Sequence, residues 1–469
     1  MPQFQPATHH ESLGDAFFDR VVPARFPQTI LRHRDQRWAA RLGLDQLSDG
    51  QWIAHFGRFE PLPGSLPQPL ALRYHGHQFR SYNPDLGDGR GFLFAQGYDL
   101  VDHRLLDLGT KGSGKTPWSR GGDGKLTLKG GVREVLATEM LEALGVYTSK
   151  SFSLIETGEA LYRGDEPSPT RSSVLVRLSH SHLRIGTFQR LAYLEDHASL
   201  GQLLDYAIAH YYPHLHDAPD KPAAFLRAVV ARVARLGAQW TAAGFVHGVL
   251  NTDNINITGE SFDYGPWRFL PHYDTGFTAA YFDETGLYSF GRQPDTLAWN
   301  LTRLAECLVP LSSVAALEPA LNTIWPLFRA ALPEEILRRL GLQPRGTEVD
   351  SAFVATLFGF LDSSRAPYEQ FFFDWRGGSL SAERAARSPS SDLYASEAFR
   401  PVADALELYQ PSVDVNLEHP YFARTAPRTM LIDDVEAIWA AIAERDDWGL
   451  FHATLNETAQ MRDAYGIKP

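Results

Sequence analysis

Between residues 247 and 265 the chain sets out oxygen donors at a spacing suited to a metal-bound nucleotide. The run His247-Gly248-Val249-Leu250-Asn251-Thr252-Asp253-Asn254 is followed nine residues later by Asp263-Tyr264-Gly265. An Asp, an Asn and a second Asp so placed offer hard oxygen ligands to a cation such as Mg²⁺, which usually keeps phosphate among its partners. Two Gly-Asp-Gly turns lie upstream, Leu86-Gly87-Asp88-Gly89-Arg90 and Gly122-Asp123-Gly124-Lys125. Their glycines allow backbone N–H groups close to phosphate, and Arg90 adds a charge-assisted fork. Ordinary hairpin turns explain the same glycines. Arg177 and Arg184, seven residues apart, could neutralise a phosphate tail or form surface ion pairs.

The loop resembles a kinase catalytic loop followed by an Asp-Phe-Gly motif. Laid against His-Arg-Asp-x-x-x-x-Asn, His247 and Asn254 match, but Val249 stands where the catalytic Asp belongs. Nucleotide binding as in a kinase, without kinase chemistry, is the expectation. His247 is read as a brace for the loop through its ring nitrogens. Lys111 ends a strand and precedes a helix carrying Glu134, as the kinase lysine precedes the Glu that orients it; taken alone, both residues could be solvated surface charges. A competing pattern, Gly109 to Thr116, satisfies G-x-x-x-x-G-K-[ST]. A P-loop must open into a helix, and Pro117-Trp118-Ser119-Arg120-Gly121-Gly122-Asp123-Gly124 cannot propagate one. Lys111, rather than Lys115, is therefore the cation of interest. His210, His214 and His216 would need a fourth ligand to hold zinc and are read as a polar loop. His75 and His77 are read as structural hydrogen-bonding residues.

The elements that must position these groups change character along the chain. Residues 1–70 show weak periodicity and read as an extension wrapping the main body. Residues 71–195 alternate short β-like runs with Gly-rich turns. One helix interrupts them, marked by Val132, Val135, Leu136, Met140, Leu141 and Leu144, with Gly145 as its stop. From 196 to 469 the pattern is helical. Phe225, Leu226, Val229, Val230, Val233, Leu236 and Trp240 form a stripe ending at Gly244, just before the loop. Further helices are expected over 294–309, 315–331, 335–341, 350–362 and 432–445, and a mobile insertion over 376–392. The expected fold class is α+β, a bilobal protein-kinase-like fold with a β-rich first lobe carrying one main helix and a larger helical second lobe.

Composition narrows the partners. A net charge of −12 across 469 residues disfavours nucleic acid, whose binding rests on a basic surface. No apolar run is long enough to span a membrane. Met1 to Ser12 lacks a basic region followed by an apolar stretch, so a cytoplasmic protein is expected. Cys307 is the sole cysteine, which excludes an intramolecular disulfide and an all-cysteine metal site; its apolar neighbours mark it as a small buried hydrophobe.

Taken together the motifs resemble the selenoprotein O family of protein adenylyltransferases. The likeness rests on Gly76-His77-Gln78-Phe79, Leu86-Gly87-Asp88-Gly89-Arg90, Lys111-Gly112-Ser113-Gly114, Thr116-Pro117-Trp118-Ser119-Arg120, Gly122-Asp123-Gly124, Arg133-Glu134, the 247–254 loop, Asp263-Tyr264-Gly265-Pro266 and Gly286-x-Tyr288. It spans roughly residues 70 to 310. The resemblance implies a pseudokinase fold that binds ATP in a flipped orientation and transfers AMP to Ser, Thr or Tyr hydroxyls of proteins, releasing pyrophosphate. It makes Asp253 the proton acceptor and Asn254 and Asp263 the ligands of Mg²⁺ or Mn²⁺. Gly87, Gly89, Arg90, Lys111, Asp123, Gly124, Arg177, Arg184 and Asp263 match the nucleotide-binding set, with Glu134 in support. Departures are Arg80 for a usual Gly, Lys125 for a frequent Arg, and a C-terminus, Gly466-Ile467-Lys468-Pro469, without Cys or selenocysteine. Residues beyond about 365 match weakly. A kinase-like phosphotransferase and an inactive ATP-binding scaffold are the alternatives.

Overall fold

The strand Leu105–Lys111 is buried along its whole length, and Thr170–Ser179 is buried at every residue but Arg171. Strands covered on both faces lose the alternating pattern that would reveal them. In the computed structural model, which describes residues 4–164 and 166–468, they lie at the centre of a nine-stranded sheet among the described residues. Its path runs Phe18–Arg20, Leu70–Leu72, Leu93–Tyr98, Leu105–Lys111, Thr170–Ser179, Lys150–Leu161, Ile30–Arg34. Pro6–Ala7 pairs with Leu93–Tyr98, and Leu126–Thr127 with Thr170–Ser179. Every pairing in it is antiparallel.

The first seventy residues thus supply three strands and the helices Gln36–Leu42 and Asp49–Phe56. Strands of two to five residues carry too few alternations to be read as such. Those helices cover one face, where Trp38, Trp52 and Phe56 pack with Phe152, Val174 and Val176. The helix Leu128–Ala143 covers the other, bringing Val132, Val135 and Leu136 onto Leu93, Leu154 and Leu175. Thr127 caps it by accepting from Gly130 N at 3.1 Å. A Cβ on Gly131 would meet Leu154 Cδ1 at 2.5 Å, so that glycine sets how closely helix and sheet approach.

After this layer the chain is mainly helical, and the architecture is α+β. Asp220 caps the helix Lys221–Ala242, accepting from Ala223 N at 3.0 Å, with Pro222 in its first turn. The helix expected over 315–331 is interrupted: Val314–Leu321 stops, and Ile324–Leu340 runs on through Pro333. The segment 376–392 is not a free insertion. It forms short helical turns, and its Ser388 bonds inward, donating at 2.5 Å to Asp374, which also accepts from Gln370 and Tyr394 on either side of the segment, both at 2.8 Å. The closing helix Gly449–Ala464 packs against Leu128–Ala143, and Arg462 reaches Glu139 at 3.2 Å. Among the described residues no helix is long and apolar enough to cross a membrane.

Candidate active site

The helix Lys221–Ala242 delivers the chain to Gly244, whose φ of 61° turns it into the short strand Phe245–Val246. This strand pairs with Arg268–Phe269, Phe245 opposite Phe269 and Val246 opposite Arg268. The ladder pinches the base of the loop between them, so residues 247–254 and Asp263 are held in one neighbourhood. His247 ties the loop across its middle: it is fully buried, and its Nε2 donates to the Phe262 carbonyl at 2.9 Å. Burial lowers its imidazole pKa, which suits a brace rather than a base. Asp263 follows in the left-handed region, φ 65°, a strain of about 1–3 kcal/mol for a non-glycine residue that tends to mark functional sites.

Strand register supplies the cations. Arg177 lies opposite Gly109 and Leu175 opposite Lys111, so Lys111 and Arg177 are diagonal neighbours on one face of the sheet. Both reach Asp263 Oδ1, Lys111 Nζ at 2.7 Å and Arg177 Nη1 at 3.3 Å. Lys111 also donates to Glu134 on the covering helix, the pairing expected from the sequence. Next to Glu134, Arg133 donates to the carbonyls of Gly265 and Trp267, tying the same helix to the segment after Asp263. Asn254 Nδ2 donates to Asp263 Oδ2 at 3.0 Å.

The two aspartates are driven in opposite directions. Burial pushes the Asp263 carboxyl up, but Lys111, Arg177 and Arg90 outweigh it and hold the group well below the usual carboxylate range. For Asp253 burial wins over the pull of Arg184, raising the carboxyl to about 6. Its Oδ1 is buried with no hydrogen-bond partner among the described residues.

Asp253, Asn254 and Asp263 line a cavity of about 720 Å³, within the range of small-molecule sites. Lys111, Gly87, Gly89 and Arg90 line it too, with Asp123 and Gly124 of the second turn. The glycines have a packing role first. A Cβ on Gly87 would come within 2.4 Å of the Trp118 ring, and one on Gly89 within 2.7 Å of the Trp118 carbonyl oxygen. Asp123 is engaged at 2.8 Å by Arg163. Arg177 and Arg184 are not in the walls. Arg184 is buried against the rings of Tyr74 and Phe262, at 4.2 and 5.1 Å, and donates to the Asp253 carbonyl at 3.4 Å. Arg177 thus meets the cavity through the Asp263 carboxylate and Arg184 through the Asp253 backbone. Lys115 is exposed, and the chain stays irregular from 112 to 125, so no helix follows the P-loop-like pattern.

Residues 2–459 match the family model described as protein adenylyltransferase SelO. A relative from Gloeobacter violaceus, named protein nucleotidyltransferase YdiU, is 46% identical over 99% of this chain and 96% of its own length. One of the same name from Synechocystis is 45% identical, with 96% of each chain covered. The chain belongs to the SelO family. It is a nucleotidyltransferase.

Around the cavity of this SelO-family chain the structure adds groups that the motifs did not assign. Arg120 and Arg163 line the cavity beside Lys125. Arg120 lay within a quoted motif, but Arg163 sits in a hairpin with no local signal, 40 residues from the Asp123 it pairs with. Gln189 has no local signal either, and Thr252, inside the 247–254 run, shows its role only through its partners. Thr252 Oγ1 donates to Gln189 Oε1 at 2.5 Å and accepts from His77 N at 2.7 Å, while His77 Nδ1 meets Gln189 Nε2 at 2.7 Å. His75 likewise bonds Tyr82 OH at 2.7 Å. The His210 ring lies tilted against that of His9, ring centroids 4.4 Å apart.

Proposed function

We propose that the cavity binds ATP and that the protein transfers its AMP moiety to Ser, Thr or Tyr hydroxyls of other proteins, releasing pyrophosphate. The observation that carries this reading is the opposition of Asp253 and Asp263 across one cavity bordered by cations. A carboxyl raised to about 6 is matched to taking a proton near neutral pH, and Asp253 is the proposed base for the incoming hydroxyl. Asp263, ionised throughout the same range, and the neighbouring Asn254 are the proposed ligands of Mg²⁺ or Mn²⁺. The donors fit: both are hard oxygen groups, and turning the Asn254 amide over presents its oxygen in place of its nitrogen. A cation there would offset charge on the transferring phosphoryl group.

Lys111 and Arg90, backed by Arg177 and Arg184, would hold the phosphates and stabilise departing pyrophosphate. Gly87, Gly89, Asp123 and Gly124 would shape the nucleotide's bed, and Glu134 would orient Lys111. The sheet with its covering helix, followed by a helical half that carries the 247–263 loop, supports a bilobal kinase-like division near residue 195. Residues 1–70 would belong with the first lobe. The test is labelling. Incorporation into protein from α-labelled but not γ-labelled ATP is expected. Label from γ-labelled ATP alone would make the enzyme a phosphotransferase, and none from either would make it a scaffold.

A further inference from the structure

The catalytic loop has a second neighbour that the nucleotide reading leaves unused. Gly76–Gln78 and Ser81–Asn83 form a hairpin, and its turn residues Phe79 and Arg80 both take left-handed conformations, φ 48° and 63°. Such conformations persist only where the surroundings enforce them. The enforcing bonds come from the two residues before Asp253. Thr252 Oγ1 accepts from His77 N, and Asn251 Oδ1 accepts from Phe79 N at 3.1 Å and from Tyr288 OH at 2.7 Å. At this tip aromatic rings face solvent: Phe79 is 38% exposed, Phe282 46% and Tyr281 84%. The Phe79 and Phe282 ring centroids are 5.9 Å apart, those of Phe282 and Tyr281 5.2 Å. Gln78, adjacent to Phe79, lines the cavity together with Asn251 and Asp253.

We propose that Phe79, Tyr281 and Phe282 form the platform that docks the polypeptide substrate, gripping an apolar side chain close to the acceptor hydroxyl. The inference rests on the adenylyl-transfer reading. The occupant follows from continuity with the site: Gln78, adjacent to Phe79, shares the cavity lining with Asp253, and the Phe79 backbone N–H is bonded to Asn251, two residues before Asp253. Exposed aromatic clusters on a rigid support bind proteins, with aromatic anchors carrying most of the affinity. The strained turn keeps Phe79 raised beside Phe282, so the platform and the base are set by one loop.

The test uses the full chain, α-labelled ATP with Mg²⁺, and a library of peptides with a central Ser, Thr or Tyr and randomised flanks. Wild type is expected to favour peptides with an apolar residue near the acceptor. The double variant Tyr281→Ser/Phe282→Ser, altered only at exposed positions, is expected to lose that preference and to raise the peptide KM about tenfold, a loss typical of an interface anchor. The KM for ATP and the rise in Tm on adding ATP should not change. A double variant with the wild-type peptide preference and KM overturns the platform. A wild type that incorporates no α-label overturns the adenylyl-transfer reading itself, and the platform with it.

Discussion

Asp253 and Asp263 have the same side chain, and their environments give them different work. Asp263 is ringed by Lys111, Arg177 and Asn254, whereas Asp253 is buried with one oxygen unpartnered among the described residues. Asp253→Asn is therefore expected to lower kcat for AMP transfer about 10²- to 10⁴-fold, the range for losing a general base. It should leave the ATP-induced rise in Tm in place. Asp263→Ala is expected to abolish α-label incorporation and to weaken that rise as well, and equal labelling by variant and wild type would remove Asp263 from the site. Residue identity and spacing were legible in the sequence; the direction of each titration was not, because it depends on burial and on cations such as Arg184, Arg177 and Lys111, 69, 86 and 152 residues away from the carboxylate each acts on. Cys307 is simpler. Burial raises its thiol to about 12, and its Sγ donates to the Arg303 carbonyl. The native protein should react with thiol reagents only on unfolding, measured by absorbance with and without denaturant.

At the scale of elements, the site depends on a strand register and a helix. The diagonal placement of Lys111 and Arg177 and the Lys111–Glu134 pair join sheet, helix and loop at one carboxylate. Glu134→Gln keeps the size of the side chain but removes its charge. It should raise the KM for ATP about tenfold or more while changing Tm little, since Lys111 keeps Asp263 as a partner; an unchanged KM would deny Glu134 its orienting role. Gly124 has φ 71°, and a Cβ there would come within 2.2 Å of Gly114. Gly124→Ala should therefore destabilise by roughly 1–3 kcal/mol, read from the denaturation midpoint. The main helix and the long helix before the loop were readable from their apolar stripes. The short N-terminal strands were not, and the break at Asn322-Thr323 was hidden because apolar residues resume at Ile324 directly after it.

At the scale of the molecule, distant segments meet behind the site. Glu260 accepts from His180 N at 2.9 Å and lines a second cavity of about 410 Å³ with Lys150 and Arg104. Burial raises its carboxyl from 4.5 to about 7, against the pull of Lys150. Because the folded pKa lies above the unfolded one, stability is fully present below pH 4.5 and falls as pH rises through about 7. Glu260→Gln should accordingly raise stability at pH 8 by about 1–3 kcal/mol and leave it almost unchanged at pH 4, as thermal melts at the two pH values would show. The sequence by itself determined the family, the donor types at 247–265, and the lysine and glutamate that pair above them, because chemistry and local spacing are carried by neighbouring residues. Only the tertiary structure decided that Arg177 and Arg184 lie behind the cavity lining, that Arg163 reaches the cavity, and that the 76–83 hairpin is bonded to the loop that carries Asp253. Those facts depend on contacts between residues far apart in the chain, and no local pattern of residue types encodes them.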